Sequence, residues 1–313
     1  MEVIRDIDWC PRPDRGCVVT IGQYDGVHRG HRAVVSEMHR IAAELNARTA
    51  VVTFDVHPAT VVRPESAPLE LSDLDQKLEL LADTGVDYVV VVSFDERQAA
   101  VAAPDFVDQV LIDCLNVRAV VVGADFHFGR GRGGNVATLT SMGEQHGFDV
   151  LGLPLVKQAT SEGEVISSTA VRTALAHGDV QKAQRLLGRP YEIRGAVGHG
   201  DRRGRTIGFP TANIPTEDRT QLPAEGVYAA IYERPDGSTH KAAVNIGRRP
   251  TFYEFVDRPL LEAHLIGFRG DLYDEQAKIR FLRHLRGEIR FDGIHSLKAQ
   301  LEKDIEAALA ALG

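Results

Sequence analysis

The chain has 313 residues and a formal net charge of -8, with no apolar run long enough to span a membrane. The 36 basic residues against 44 acidic ones, and an aromatic content of 6%, argue against broad nucleic-acid binding. At about 100–200 residues per domain, two domains are expected. Cys10, Cys17 and Cys114 are odd in number and fit no metal or redox spacing, and the first residues, MEVIRDIDW, lack a signal-peptide core. Reduced thiols and a cytoplasmic setting are the expectation.

Val18 to Ile21 is a short apolar run that suits a buried parallel strand. Gly22, Gly26 and Gly30 punctuate the turn that follows, and His28 and His31 stand three residues apart. A helix starting near His28 brings both imidazoles onto one face of its first turn. Unpaired amides at that end favour phosphate, and two imidazoles there can neutralise it. No nucleophile is present, so the chemistry is positioning and charge stabilisation. His-x-x-His is also half a metal site, but no other ligand spacing accompanies it.

Ala33 to Leu45 follows with helical apolar spacing, and Ala50 to Phe54 reads as a strand that ends at Asp55-Val56-His57-Pro58. A helix over Asp73 to Leu81, a strand over Tyr88 to Val92, a helix over Pro104 to Leu115 and a strand over Ala119 to Val122 complete an alternating pattern. Such alternation indicates a parallel sheet covered by helices, with ligands beyond the C-terminal ends of the strands. The turn after Ile21, the Asp55 loop and the Gly-rich stretch from Gly123 to Asn135, with Arg130 and Arg132, should therefore converge. Ile166 to Arg172 places Ser167, Ser168 and Thr169 before a helical pattern, where hydroxyls cap helices. Gly188 and Pro190 are stop signals, and the domain boundary is expected there.

Beyond Pro190 the patterns shorten. Tyr191–Val197, Gly226–Tyr232, Lys241–Ile246, Pro259–Ile266 and Gln276–Leu285 read as strands of a small antiparallel barrel. Ser296 to Leu312 carries one apolar stripe and reads as a closing helix. Between the first two strands lies a run in which glycines alternate with cations, Gly198 to Asn213, without the ending of a Walker A loop. Alternation puts Glu262 and His264 on the strand face opposite Leu261, Ala263 and Leu265.

The first stretch resembles the HxGH signature of nucleotidylyltransferases, in the form found in bacterial FAD synthetases, through Gly22, Tyr24, Asp25, Gly26, Val27, His28, Gly30 and His31. The segment from Gly123 to Gly129 and Ile166-Ser167-Ser168-Thr169 with Arg172 resemble further motifs of the same enzymes. The chain departs from that pattern at Tyr24, where Phe is usual, at Val56, where Pro is frequent, and at Asp125, where Asn is common. The resemblance implies that His28, His31 and Arg172 are catalytic. It implies that Gly22, Tyr24, Asp25, Gly26, Asp125, Ser167, Ser168 and Thr169 join them in binding ATP, with Phe54, His57, Phe126 and Phe128 toward the flavin.

Gly204 to Asn213 is similar to the riboflavin kinase signature, and Glu262, Asp271-Leu272-Tyr273 and Asn245 to Phe252 match further segments of that family. By that resemblance Gly200, Arg205, Gly208, Phe209, Pro210, Thr211 and Asn213 bind a second ATP. Thr211 and Asn213 hold magnesium, Glu262 is the catalytic carboxylate, and Asn245 and Arg283 lie toward the flavin. The implied chain is an α/β nucleotidylyltransferase (Rossmann-like) domain over 1–187, then a small antiparallel β-barrel riboflavin kinase domain with a C-terminal helix over 188–313. Its implied reactions convert riboflavin and ATP to FMN, then FMN and ATP to FAD and pyrophosphate. Two narrower readings stay open: a riboflavin kinase with a degenerate first domain, and a flavin-binding protein without turnover. No nucleic-acid or membrane partner is expected, and oligomeric state is left open, a weak homo-oligomer included.

Overall fold

The structure is a computed structural model that describes residues 1–5, 9–154, 163, 165–199, 207–248 and 259–313. The chain divides into two compact units, Met1–Ser168 and Thr169–Gly313.

The first unit is built on a six-stranded sheet, all of whose pairings are parallel. In chain order its strands are β1 (Glu2–Ile4), β2 (Cys17–Ile21), β3 (Arg48–Phe54), β4 (Tyr88–Val92), β5 (Val117–Gly123) and, after the short hairpin strands β6 (His127–Phe128) and β7 (Gly134–Asn135), β8 (Asp149–Leu153). They lie in the order β1-β4-β3-β2-β5-β8. All of β2, and nearly all of β3, β4 and β5, is buried, as strands covered on both faces must be. Alternate residues feed two cores. Val19, Val52, Val90 and Val120 pack on one face with Phe106 and Leu111. Val18, Val51, Val89 and Val121 pack on the other with Met38 and Leu81.

Several helices begin where the sequence carries capping side chains. Helix α1 (Arg29–Leu45) is capped by His28 and ends at Asn46 in the left-handed conformation, a position Asn tolerates. Two helices on, α3 (Leu74–Ala82) follows the single turn α2 (Ala59–Val62) and is capped by Asp73. The helix expected from Pro104 forms from Ala103, but over Val107–Cys114 it is wound as a π-helix.

At the end of that winding Cys114 is bonded to Cys10, 104 residues earlier in sequence. The expectation of reduced thiols does not hold in this structure, because spacing along the chain says nothing of which cysteines the fold brings together. Cys17 is the buried free thiol, its pKa raised to about 12 mainly by burial.

The second unit holds a six-stranded antiparallel sheet in the order β10-β13-β12-β11-β14-β9. Its strands are β9 (Tyr191–Ala196), β10 (Ala212–Ile214), β11 (Gly226–Glu233), β12 (Thr239–Gly247), β13 (Leu260–Leu265) and β14 (Gln276–Arg286). A bridge between Gly198 and Asn213 joins the two ends of the order and curls the sheet toward a barrel. Five of the strands are those read from the sequence; β10, at the end of the Gly198 to Asn213 run, has no counterpart among them. Tyr228, Tyr232 and Phe281 fill the interior. The C-terminal helix (Ile294–Leu312) packs on β11, β12 and β14. Arg286 holds it by a two-pronged pair to the buried Asp304, at 2.8 and 2.6 Å.

Candidate active sites

In the first sheet the strand order turns back between β2 and β5, since β3 and β4 lie to one side and β8 to the other. The crevice beyond such a reversal is where open α/β sheets bind ligands. The turn after β2 ends in His28 and leads into the first turn of α1, which carries His31, and the turn after β5 carries Asp125 and Phe126.

His28 is 5% exposed and holds the start of α1: its Nδ1 accepts from the His31 amide at 3.2 Å. The two imidazoles stack, with ring centres 3.6 Å apart. The Nδ1 of His31 is buried and has no hydrogen-bond partner among the described residues. Burial, and then the charges of His28 and Lys77, hold the His31 imidazole well below its usual pKa of 6.5. The Tyr24 ring lies 4.7 Å from that of His31, and its hydroxyl bonds Thr20 at 2.6 Å. Gly22 faces the Tyr24 ring, since a Cβ there would lie 3.1 Å from it. Gly30 lies close to its neighbours: a Cβ there would sit 3.1 Å from both the His28 ring and the Ile166 carbonyl oxygen, so one of them would have to give by a few tenths of an ångström.

Asp25 does something the motif alone does not reveal. It is 2% exposed, and its carboxylate accepts from the amides of Leu71 at 2.9 Å and Ser72 at 3.1 Å. The Gly26 amide in turn donates to the Ser72 hydroxyl at 3.1 Å. The motif turn and the segment before α3 are thereby latched together. Ser72 carries no motif that would have marked it in the sequence. Farther along the chain, the Ser168 hydroxyl donates to the Asp25 carbonyl oxygen at 3.0 Å, joining two motifs separated by 143 residues. Ser167 precedes the helix that Ser168 opens (Ser168–Ala176), and Thr169 and Arg172 lie along it.

The neighbouring loops are ordered by their own contacts. Asp125 is exposed. Phe126 and Phe128 stack at 5.4 Å, and Phe128, 8% exposed, belongs to the core beside Phe106. Phe54 packs edge-on to Phe94 at 5.3 Å, and His57 accepts from the Ala59 amide at 3.1 Å.

In the second unit a cavity of about 1530 Å³ is lined by Phe209, Pro210, Thr211, Asn213, Asn245 and Glu262, among others. Strand pairing explains why three of these meet. Glu262 on β13 is in register with Asn213 on β10 and with Asn245 on β12. A carboxylate thus stands between two amide side chains in one row across the sheet. His264 lines the same cavity and its Nδ1 bonds the Pro210 carbonyl at 2.8 Å. Gly208 has φ +92°, a backbone that favours glycine, at the entry to this segment. Arg283 is exposed, and among the described residues the arginines lining the cavity are Arg248, Arg269, Arg286 and Arg290. Arg286 opens the Arg286 to Phe291 stretch which, with Arg283, resembles the flavin-lining region of riboflavin kinases, and of those two arginines it is Arg286 that lines the cavity. Gly200, Arg205 and the motif residues from Arg249 to Phe252 lie outside the described residues.

A family model described as FAD synthetase matches residues 10–170, and one described as riboflavin kinase matches residues 187–312. The chain is 42% identical over 306 residues to the bifunctional riboflavin kinase/FMN adenylyltransferase of Escherichia coli (strain K12), covering 97% of this chain and 96% of that one. It belongs to that family. The Haemophilus influenzae member is 39% identical over 313 residues, with 99% of each chain covered. The Bacillus subtilis member is 38% identical over 294 residues, covering 93% of this chain and 91% of that one. A solved structure from Streptococcus pneumoniae, named a macrolide-efflux protein, shares the fold with a TM-score of 0.84 at 29% identity, over 98% of this chain and 97% of that one. Among the described residues here, no helix is long and apolar enough to cross a membrane.

Proposed function

We propose that the chain carries both activities named in its family. The second unit phosphorylates riboflavin from ATP to FMN. The first unit transfers AMP from a second ATP to FMN, giving FAD and pyrophosphate. The curated relatives are named for both reactions, which favours this reading over a lone kinase or a flavin carrier. For the functional domains the reading is 1–187 and 188–313; the riboflavin kinase match over 187–312 supports that boundary, while the compact units divide after Ser168.

The observation that carries the residue-level reading is the gathering of motif residues from distant stretches at each site. In the first unit, His28 and His31 stabilise the triphosphate as an FMN phosphate oxygen attacks the α-phosphorus and pyrophosphate leaves. With no nucleophile at the turn, the transfer is direct. Tyr24, Gly22 and Gly26 shape the turn, and Asp25 holds it in place. The motif assigns phosphate binding to Ser167, Ser168, Thr169 and Arg172 and an ATP contact to Asp125; Ser168, whose hydroxyl donates to the Asp25 carbonyl oxygen, acts there through its backbone amide and Arg172 through its guanidinium. Phe54, His57 and Phe126 form the side toward the flavin, and Phe128, buried in the core, supports Phe126 by stacking on it rather than meeting the flavin itself.

In the second unit, Glu262 takes the proton from the ribityl hydroxyl as that oxygen attacks the γ-phosphorus and ADP leaves. Thr211 and Asn213 supply a hydroxyl and an amide oxygen, the donor type that suits magnesium. When bound, that ion neutralises phosphate charge. Phe209, Pro210 and Gly208 border the nucleotide, with Gly200 and Arg205 assigned there by the motif. Asn245 lies toward the flavin, and Arg283 keeps that assignment by the motif alone.

The test is incubation of the purified chain with riboflavin, ATP and magnesium, with products separated over time. FMN appears first and FAD follows with pyrophosphate. FMN that accumulates without FAD would leave a kinase alone.

A further inference from the structure

Lys77 on α3 is 2% exposed, an ammonium carried into the interior of the first unit. Leu74, Lys77, Leu78 and Leu81 fall at helical spacing, so Lys77 interrupts the apolar stripe that faces the core. A leucine or methionine would pack that stripe without the cost of burying a charge. The lysine is instead held by specific partners. Its Nζ donates to the Phe54 carbonyl oxygen, at the end of β3, at 2.9 Å. Burial disfavours its charge, while Asp25, Glu70 and Asp55 favour it. Asp25 belongs to the turn after β2 and Asp55 to the turn after β3. Asp55 also accepts from the Phe94 amide, beyond β4, at 2.9 Å. One cation is therefore shared by the loops at the C-terminal ends of adjacent strands, and its charge reaches His31 as well.

We propose that Lys77 is a positioning residue for adenylyl transfer, gripping the Phe54 carbonyl from below so that the Phe54–His57 segment is aimed at FMN. It does not touch the substrates; it acts through the end of β3. The proposal rests on the flavin role assigned above to Phe54 and His57. Loss of the grip frees the direction of that segment while leaving the histidine pair and its helix start in place. The defect therefore falls on FMN before ATP.

The experiment measures adenylyl transfer by the full chain for wild type, Lys77→Met, Lys77→Gln, Lys77→Arg and Phe54→Ala, with riboflavin phosphorylation followed in the same preparations. Lys77→Met is expected to raise KM for FMN by roughly tenfold or more, as misaligned substrate segments do. KM for ATP and the kinase activity stay within about twofold of wild type. Lys77→Arg, which keeps the charge and a donor, recovers most of the loss. Lys77→Gln runs beside the methionine variant so that the comparison does not depend on one variant's folding, and it shows the same defect in weaker form. An unchanged KM for FMN in both neutral variants overturns the proposal. So does an equal loss for both substrates that arginine fails to rescue, because that is the signature of packing alone. Phe54→Ala separates the two ideas. If it leaves KM for FMN unchanged, the flavin role of the β3 end is wrong; if it raises KM while the Lys77 variants do not, only the role of Lys77 is.

Discussion

Glu262 and Asn213 are register partners across β13 and β10, so a carboxylate and an amide face the same cavity side by side. The pairing explains why a strand of only three residues, Ala212–Ile214, matters: it delivers the end of the Gly-rich motif to the candidate base. Replacing Glu262 with Gln keeps the shape and removes the base. Riboflavin phosphorylation should fall by about 10²-fold or more, while FAD formation from supplied FMN continues. Product analysis with each substrate in turn checks this; a parallel fall in both reactions contradicts it.

His28 and His31 carry the opposite expectation. The double variant His28→Ala/His31→Ala removes two polar rings and the side-chain cap of α1, the cap alone being worth about 1 kcal/mol. FAD formation should be suppressed and FMN formation spared. Survival of FAD formation at the wild-type rate would remove the pair from the chemistry.

His31 also makes the stability of the first unit depend on pH. Its folded pKa lies well below the ordinary value of 6.5, so above that value it is neutral whether the chain is folded or unfolded. Below it, the unfolded chain binds a proton that the folded chain refuses. The contribution is therefore fully present above 6.5 and is lost progressively as pH falls. Urea midpoints for the substrate-free protein should fall between about pH 7 and 5.5, and His31→Gln should lessen that fall. Identical pH dependence in the two proteins would show that His31 is not the group responsible.

The Cys10–Cys114 bond closes a loop across 104 residues. Disulfides typically stabilise by about 2–4 kcal/mol, more for longer loops. Cys10→Ser should lower the melting temperature under non-reducing conditions, and added reductant should bring wild type down to the variant. Titration of three free thiols in the untreated, unfolded protein would show that the bond is absent.

Much of this protein was legible as residue order. Tyr88–Val92 announced a buried strand, Asp73 announced a helix start, and alternation from Leu261 to Leu265 put Glu262 on the partly open face of its strand. Those features are local: they depend on periodicity and on side chains that cap or break a backbone. The motifs likewise pointed to phosphate chemistry, because glycine turns, imidazoles and hydroxyls reveal what they can bind wherever they occur. Neighbourhood across the chain is different. That Ser168 meets Asp25, that Asn213, Glu262 and Asn245 form one row, that Cys10 reaches Cys114, and that Lys77 grips Phe54 followed only from strand order and register. Periodicity tells a residue which way to face. Which residue it then faces depends on how the sheets are ordered and closed, and that is a property of the packed whole.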